Sequence, residues 1–167
     1  MFYKKSAKNM TQLIFNSSNL KETQTFAKQL ASCLSKGDIV FFSGPIGAGK
    51  TIMVKEIAKF LGVKEKITSA SFSLMKKYFG TKADLYHIDL FRLEEGEMFN
   101  LGFEEMLEDE TSLILAEWPE AAKDFFPKNR LEIEIILQKE DKRKIVLRAQ
   151  TPVYQKVLDA LNKKIKR

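Results

Sequence analysis

The run Gly44-Pro45-Ile46-Gly47-Ala48-Gly49-Lys50-Thr51 has the residue types and spacing of a phosphate-binding loop. Glycines let a backbone curl until successive N–H groups point inward at an anion. A lysine in this position reaches the β- and γ-phosphates of a nucleotide, and the hydroxyl after it takes a place on Mg²⁺. Average residue frequencies produce the bare pattern in roughly one chain in 200 of this length. The expected nucleotide contacts are therefore Gly47, Ala48, Gly49, Lys50, Thr51 and Ile52, with Lys50 stabilising charge during catalysis and Thr51 a metal ligand.

A triphosphate bound with Mg²⁺ also needs a carboxylate at the end of a strand beside the loop. Asp89 follows Leu85-Tyr86-His87-Ile88, and Glu117 follows Leu113-Ile114-Leu115-Ala116. Either acid could hold the cation directly or through water while the other positions or activates the attacking water. His87 alternates with Tyr86 and Ile88 on a strand and reads as a satisfied structural histidine. Arg92, three residues past Asp89, could pair with an acid or a phosphate. Trp118-Pro119 sets a large ring against a helix-start residue, and periodicity does not choose among core, ligand wall and partner contact for that ring.

These residues need elements to hold them. Ile39-Val40-Phe41-Phe42 reads as a strand feeding the loop, and Ile52–Leu61 reads as the helix leaving it, stopped by Gly62. Upstream, Gln12–Asn16 predicts a short strand, and Ser17-Ser18-Asn19 offers caps to a helix over Leu20–Leu34. Downstream, Ser71–Phe79 and Ala83–Asp89 predict two strands around Gly80-Thr81-Lys82, followed by a mixed helical region, Glu94–Glu108. Ser112–Ala116 has the length and continuous apolarity of a buried parallel strand. Leu131–Leu137 and Lys144–Ala149 predict a hairpin, and Val153–Ile165 an amphipathic closing helix. Strands interleaved with helices imply an α/β fold: a P-loop NTPase-like three-layer sandwich with a mostly parallel central sheet and antiparallel edge strands.

Composition sets the outer bounds. A chain of 167 residues, 44% hydrophobic and 30% charged, suits one P-loop ATPase domain over residues 1–167 with a substantial core. No repeat, linker or low-complexity stretch divides it. The apolar runs are too short or too interrupted for a membrane span, and Met1-Phe2-Tyr3-Lys4-Lys5 leads into no secretory h-region. Cys33 is the single cysteine, which excludes an internal disulfide and suits a small buried hydrophobe in a reducing cytoplasm. The net charge of +6 is uneven, with basic residues concentrated beyond Gln138. Such a tail could face RNA or an acidic partner, but a solvated surface accounts for it as well, and no DNA-binding signature accompanies it.

The loop and the later segments together resemble the TsaE (YjeE) family of bacterial tRNA threonylcarbamoyladenosine synthesis. The matching pieces occur in family order. They are the loop itself, Ser69-Ala70-Ser71-Phe72-Ser73-Leu74, Tyr86-His87-Ile88-Asp89-Leu90-Phe91-Arg92-Leu93, and Glu117-Trp118-Pro119-Glu120. Leu101-Gly102-Phe103 looks like a further family step. Pro45 departs from the family's usual aspartate, and Ala70-Ser71 keeps the hydroxyl of Pro-Thr while losing its rigid turn. The resemblance implies that Lys50 contacts phosphates, that Thr51 and Glu117 coordinate Mg²⁺, and that Asp89 serves hydrolysis near the γ-phosphate. It implies that Glu117, Trp118, Pro119 and Glu120 help form the ATP/ADP pocket, with the segment near Asn19 and Leu20 against the base. It also implies TsaD and TsaB homologues as partners, with tRNA reached through that complex.

Two rival readings remain at this level. A small-molecule or nucleoside kinase shares the loop pattern, yet Arg92 is the only arginine before Arg130, too few for an arginine-rich lid. A nucleotide-gated binding module would keep the loop and lack turnover. A GTPase is disfavoured because no Asn-Lys-x-Asp element is present.

Overall fold

A computed structural model of the chain describes residues 11–68, 74–93 and 102–166. The strands are β1 Gln12–Ser17, β2 Ile39–Ser43, β3 Met75–Tyr78, β4 Asp84–Asp89, β5 Ser112–Glu117, β6 Leu131–Leu137 and β7 Arg143–Ala149. They form one sheet in the order β1-β7-β6-β2-β5-β4-β3. The central strands β6, β2, β5 and β4 are mutually parallel, while β3 at one edge and β7 and β1 at the other run antiparallel to their neighbours. This is the expected α/β arrangement of a parallel centre with antiparallel flanks.

Alternation along the strands sorts the side chains into two cores. Val40, Phe42, Leu85, Leu113 and Leu115 face one side, where they meet α1 (Leu20–Ala31), α2 (Lys50–Leu61) and α4 (Pro152–Ile165). Ile39, Phe41, Ile88, Ile114 and Ala116 face the other, against α3 (Phe103–Glu108), Ala122 and Phe126. The helices fit this division by period: α1 buries Thr23, Phe26, Ala27, Leu30 and Ala31, a spacing of three and four. In α4, Tyr154, Val157, Leu158 and Leu161 do the same. A fully buried aromatic such as Phe26 or Phe42 contributes about 2–3 kcal/mol by leaving water.

Several boundaries differ from the sequence reading. Helix α1 ends at Ala31, not Leu34, because Ser32 caps it and the next amides make tighter bonds, Cys33 N–H to Leu30 O and Leu34 N–H to Ala31 O. Cys33 therefore lies just past the helix. It is half-buried, and burial pushes its thiol pKa up, so it is no activated nucleophile. Helix α2 starts at Lys50, directly inside the phosphate-loop motif. The Ser71–Phe79 strand is seen as Met75–Tyr78, and the Glu94–Glu108 helical region as Phe103–Glu108. Ser69-Ala70-Ser71-Phe72-Ser73 and residues 94–101 lie outside the described residues. Among the described residues, no helix is long and apolar enough to cross a membrane.

Candidate functional site

The site forms where β2, β4 and β5 end. Register pairs Asp89 with Glu117 across β4 and β5, and Phe42 with Glu117 across β2 and β5. The two acids singled out from sequence are thus neighbours at the carboxyl edge, beside the strand that enters the loop. Alternation turns Glu117 toward the same face as Leu113 and Leu115, which is the face covered by α2. Thr51 on α2 meets it there: its Oγ1 donates to Glu117 Oε2 at 2.8 Å.

The loop's backbone needs its glycines. Gly44, Gly47 and Gly49 have φ of 131°, 78° and 107°. A Cβ on Gly44 would lie 2.3 Å from Ile135 O, a backbone atom of β6 that cannot give way. Gly47 has no atom within 4 Å of such a Cβ, so the loop borders open space there. Helix α2 then starts with no side-chain cap and no acid in its first turn. Its first N–H groups have no intrahelical partners, and the positive end of its dipole is left for an anion. Helix α1 starts at the same edge in the opposite condition. Asn19 Oδ1 accepts from Glu22 N–H at 2.9 Å, and Glu22 Oε2 accepts from Ser18 N–H at 2.7 Å.

Lys50 is buried, and its Nζ donates to Gly44 O at 2.7 Å and Pro45 O at 2.9 Å. The same ammonium sits 3.6 Å from the centroid of the Trp118 ring. Desolvation holds its pKa below the usual lysine range, opposed by the charges of Glu117, Glu120 and Asp89. A cation short of solvation, held by carbonyl oxygens and an aromatic face, is suited to receiving an anion's charge. Trp118 is reached through an unusual backbone: its φ is 56°, in the left-handed region, while its N–H still donates to Phe42 O at 3.1 Å. Phe91 packs on its ring with centroids 4.8 Å apart, and Pro119 opens a 3-10 turn over Pro119–Ala121. Asp89 is largely buried, and its Oδ1 accepts from Phe91 N–H at 3.2 Å. Ala48 is buried and Ile52 half-buried, while Glu120 is exposed at the rim.

Two residues at the site were not assigned to it from sequence. His87, read as structural, is fully buried with Nε2 2.9 Å from Glu117 Oε1. The available signal was alternation, which points His87 and Asp89 to the same face. Arg143, read only as part of a basic tail, donates from Nε to Ala48 O at 3.0 Å and from Nη1 to Asp141 O at 2.7 Å. It ties the β6–β7 hairpin to the phosphate loop from 95 residues away in sequence, and no local pattern announces such a contact. Other members of the basic region are also engaged: Arg148 pairs with Glu134, Lys142 with Glu140, and Lys164 bonds Ser32 at the end of α1.

The TsaE family model, described as threonylcarbamoyl adenosine biosynthesis protein TsaE, matches residues 17–145. The chain belongs to the TsaE family. The TsaE match spans the phosphate loop, both strand-end acids, Trp118 and Arg143. The chain is 41% identical to the TsaE of Rickettsia felis over 133 residues, covering 78% of this chain and 75% of that one. It is 32% identical to the TsaE of Bacillus subtilis over 154 residues, covering 92% and 96%. The crystal structure of Bacillus subtilis YdiB superposes with a TM-score of 0.78 at 31% identity, covering 95% of this chain and 99% of that one. TsaE proteins are named for tRNA threonylcarbamoyladenosine biosynthesis, and membership places the chain in that tRNA-modification family.

Proposed function

We propose that the protein is an Mg²⁺-dependent ATPase that acts with TsaD and TsaB homologues in the cytoplasm to support threonylcarbamoyladenosine formation on tRNA, without itself transferring the group. The observation that carries this reading is the junction of Thr51 Oγ1 with Glu117 Oε2 at 2.8 Å, immediately after an uncapped loop-to-helix turn. Among the described residues no group of three or more His, Cys, Asp or Glu side chains could hold a metal alone. A cation here would take Thr51 and Glu117 from the protein and complete its shell with phosphate oxygens and water, as Mg²⁺ prefers. Residues and cofactor fit.

When bound, Mg²⁺ would supply charge neutralisation to the phosphates. The chain supplies the rest. Gly47, Gly49 and the first N–H groups of α2 cradle the phosphates, and Lys50 exchanges the Gly44 and Pro45 carbonyls for phosphate oxygen. Asp89, paired in register with Glu117, orients or deprotonates the attacking water. Trp118, Pro119 and Glu120 wall the pocket. The basic C-terminal region would meet a partner protein or tRNA in that complex. Neutralising Lys163, Lys164, Lys166 and Arg167 tests it, and unchanged complex formation counts against it.

The test is phosphate release from ATP by the purified protein with and without its TsaD and TsaB homologues. Thr51→Ala is expected to remove it. Full hydrolysis by that variant would sink the site assignment, and a phosphorylated small molecule in place of free phosphate would mark a kinase.

A further inference from the structure

Glu117 is held at both oxygens of its carboxylate: Thr51 donates to Oε2, and His87 Nε2 meets Oε1. His87 is fully buried, and its Nδ1 is the one buried side-chain nitrogen or oxygen among the described residues with no hydrogen-bond partner. A histidine kept only as core filling would carry the desolvation cost of that nitrogen without return, where a leucine would carry none. The contact with Glu117 is what the ring gains for its burial. It also selects the tautomer, because an ionised carboxylate attracts Nε2–H and repels a lone pair in the same place. Nδ1 is then an unpartnered acceptor, a lesser burden than an unpartnered N–H. Register sets His87 opposite Leu115, two residues along the strands from the Asp89–Glu117 pair and on the same face, within reach of the carboxylate.

We infer that His87 is a positioning residue for the divalent-cation site, an inference that rests on the nucleotide-hydrolysis reading above. A glutamate side chain has three rotatable bonds, and a single hydrogen bond from Thr51 leaves its carboxylate free to swivel. The Nε2–H bond to Oε1 fixes the carboxylate plane and keeps Oε2 against Thr51, so that both residues address one cation. His87 does not contact the nucleotide; it acts through Glu117. Removing such an orienting partner characteristically weakens metal affinity by about 10–100-fold.

The experiment measures ADP affinity by calorimetry, first in EDTA and then across an Mg²⁺ titration, for wild type, His87→Leu, His87→Asn and His87→Gln. A glutamine amide nitrogen can stand where Nε2 stands, whereas an asparagine amide is too short. We expect unchanged ADP affinity in EDTA for every folded variant. The Mg²⁺ concentration for half-effect should rise about 10–100-fold in His87→Leu and His87→Asn and return close to wild type in His87→Gln. His87→Asn carries the test if His87→Leu does not fold. A wild-type Mg²⁺ response in the leucine or asparagine variant overturns the inference, as does an equal loss of ADP affinity in EDTA, which marks a purely structural role. Wild-type protein that binds no ADP under either condition would instead remove the nucleotide reading itself.

Discussion

The two ends of strands β2, β4 and β5 both carry buried or half-buried polar residues, yet they are built differently. At the amino end, Asp109 accepts from Lys77 Nζ at 2.8 Å, Ser112 Oγ at 2.7 Å, and both Thr111 N–H and Oγ1. Tyr154 Oη accepts from Ile39 N–H at 2.7 Å, and Asp38 accepts from Ser35 N–H at 2.7 Å. Donor and acceptor are matched locally, and the network is closed. At the carboxyl end, Lys50 leans on loop carbonyls and an aromatic face, α2 starts uncapped, and Trp118 is held at positive φ. Its contacts can be exchanged for those of a ligand. Burial of polar groups does not by itself set their role: a saturated network suits a brace, and an open one suits a site.

The strongest way to break this distinction is Lys50→Ala. Turnover should fall at least about 100-fold, as for loss of a main charge stabiliser, while the melting temperature stays near wild type because a desolvated cation is removed along with its bonds. Steady-state phosphate release and thermal melts on the same sample check both halves. The converse at the amino end is Tyr154→Phe. It leaves the Ile39 N–H without its acceptor and should cost about 1–3 kcal/mol in denaturant unfolding, with turnover unchanged. Arg143→Met belongs between the two ends, because it frees Ala48 O without touching a ligand. We expect a loss of about 1 kcal/mol together with nucleotide binding weakened several-fold.

The smallest effect is in acid. Lys77, then Thr111 and Ser112, hold the Asp109 carboxyl well below the usual carboxylate range. Its stabilising contribution is complete above the unfolded value of about 3.9 and is lost as pH falls below it. Asp38, raised by burial, works in the opposite sense, its contribution present at lower pH and lost as pH rises through its folded value. Comparing wild type with Asp109→Asn isolates the first: the gap in melting temperature should narrow as pH falls from about 5 to 3.

What was legible in the sequence follows the same line. The loop, the acids at Asp89 and Glu117, and the strand–helix alternation are written in contiguous residues, because glycine conformation, apolar runs and strand ends are local matters. Helix ends were less legible, since Ser32 stops α1 before the apolar pattern runs out at Leu34. The contacts His87–Glu117 and Arg143–Ala48 join elements distant in the chain, and they depend on the strand order and register rather than on any neighbouring residue. The positive φ of Trp118, where the chain leaves β5 while still bonded to Phe42 across the sheet, has no local signal either. The family was legible in the contiguous motifs; how the chain steadies Glu117 and the loop was not.

Trp118 is the only tryptophan in the chain, and the Lys50 ammonium lies against its ring. Its fluorescence therefore reports directly on the open network at the carboxyl end. The decisive measurement is an equilibrium titration of wild type and Lys50→Ala with ATP and Mg²⁺, read by that emission. Wild type should show a saturable change that is absent in Lys50→Ala. Emission that ignores ATP in wild type, or a saturable change that persists in Lys50→Ala, would rule out a nucleotide site built on Lys50.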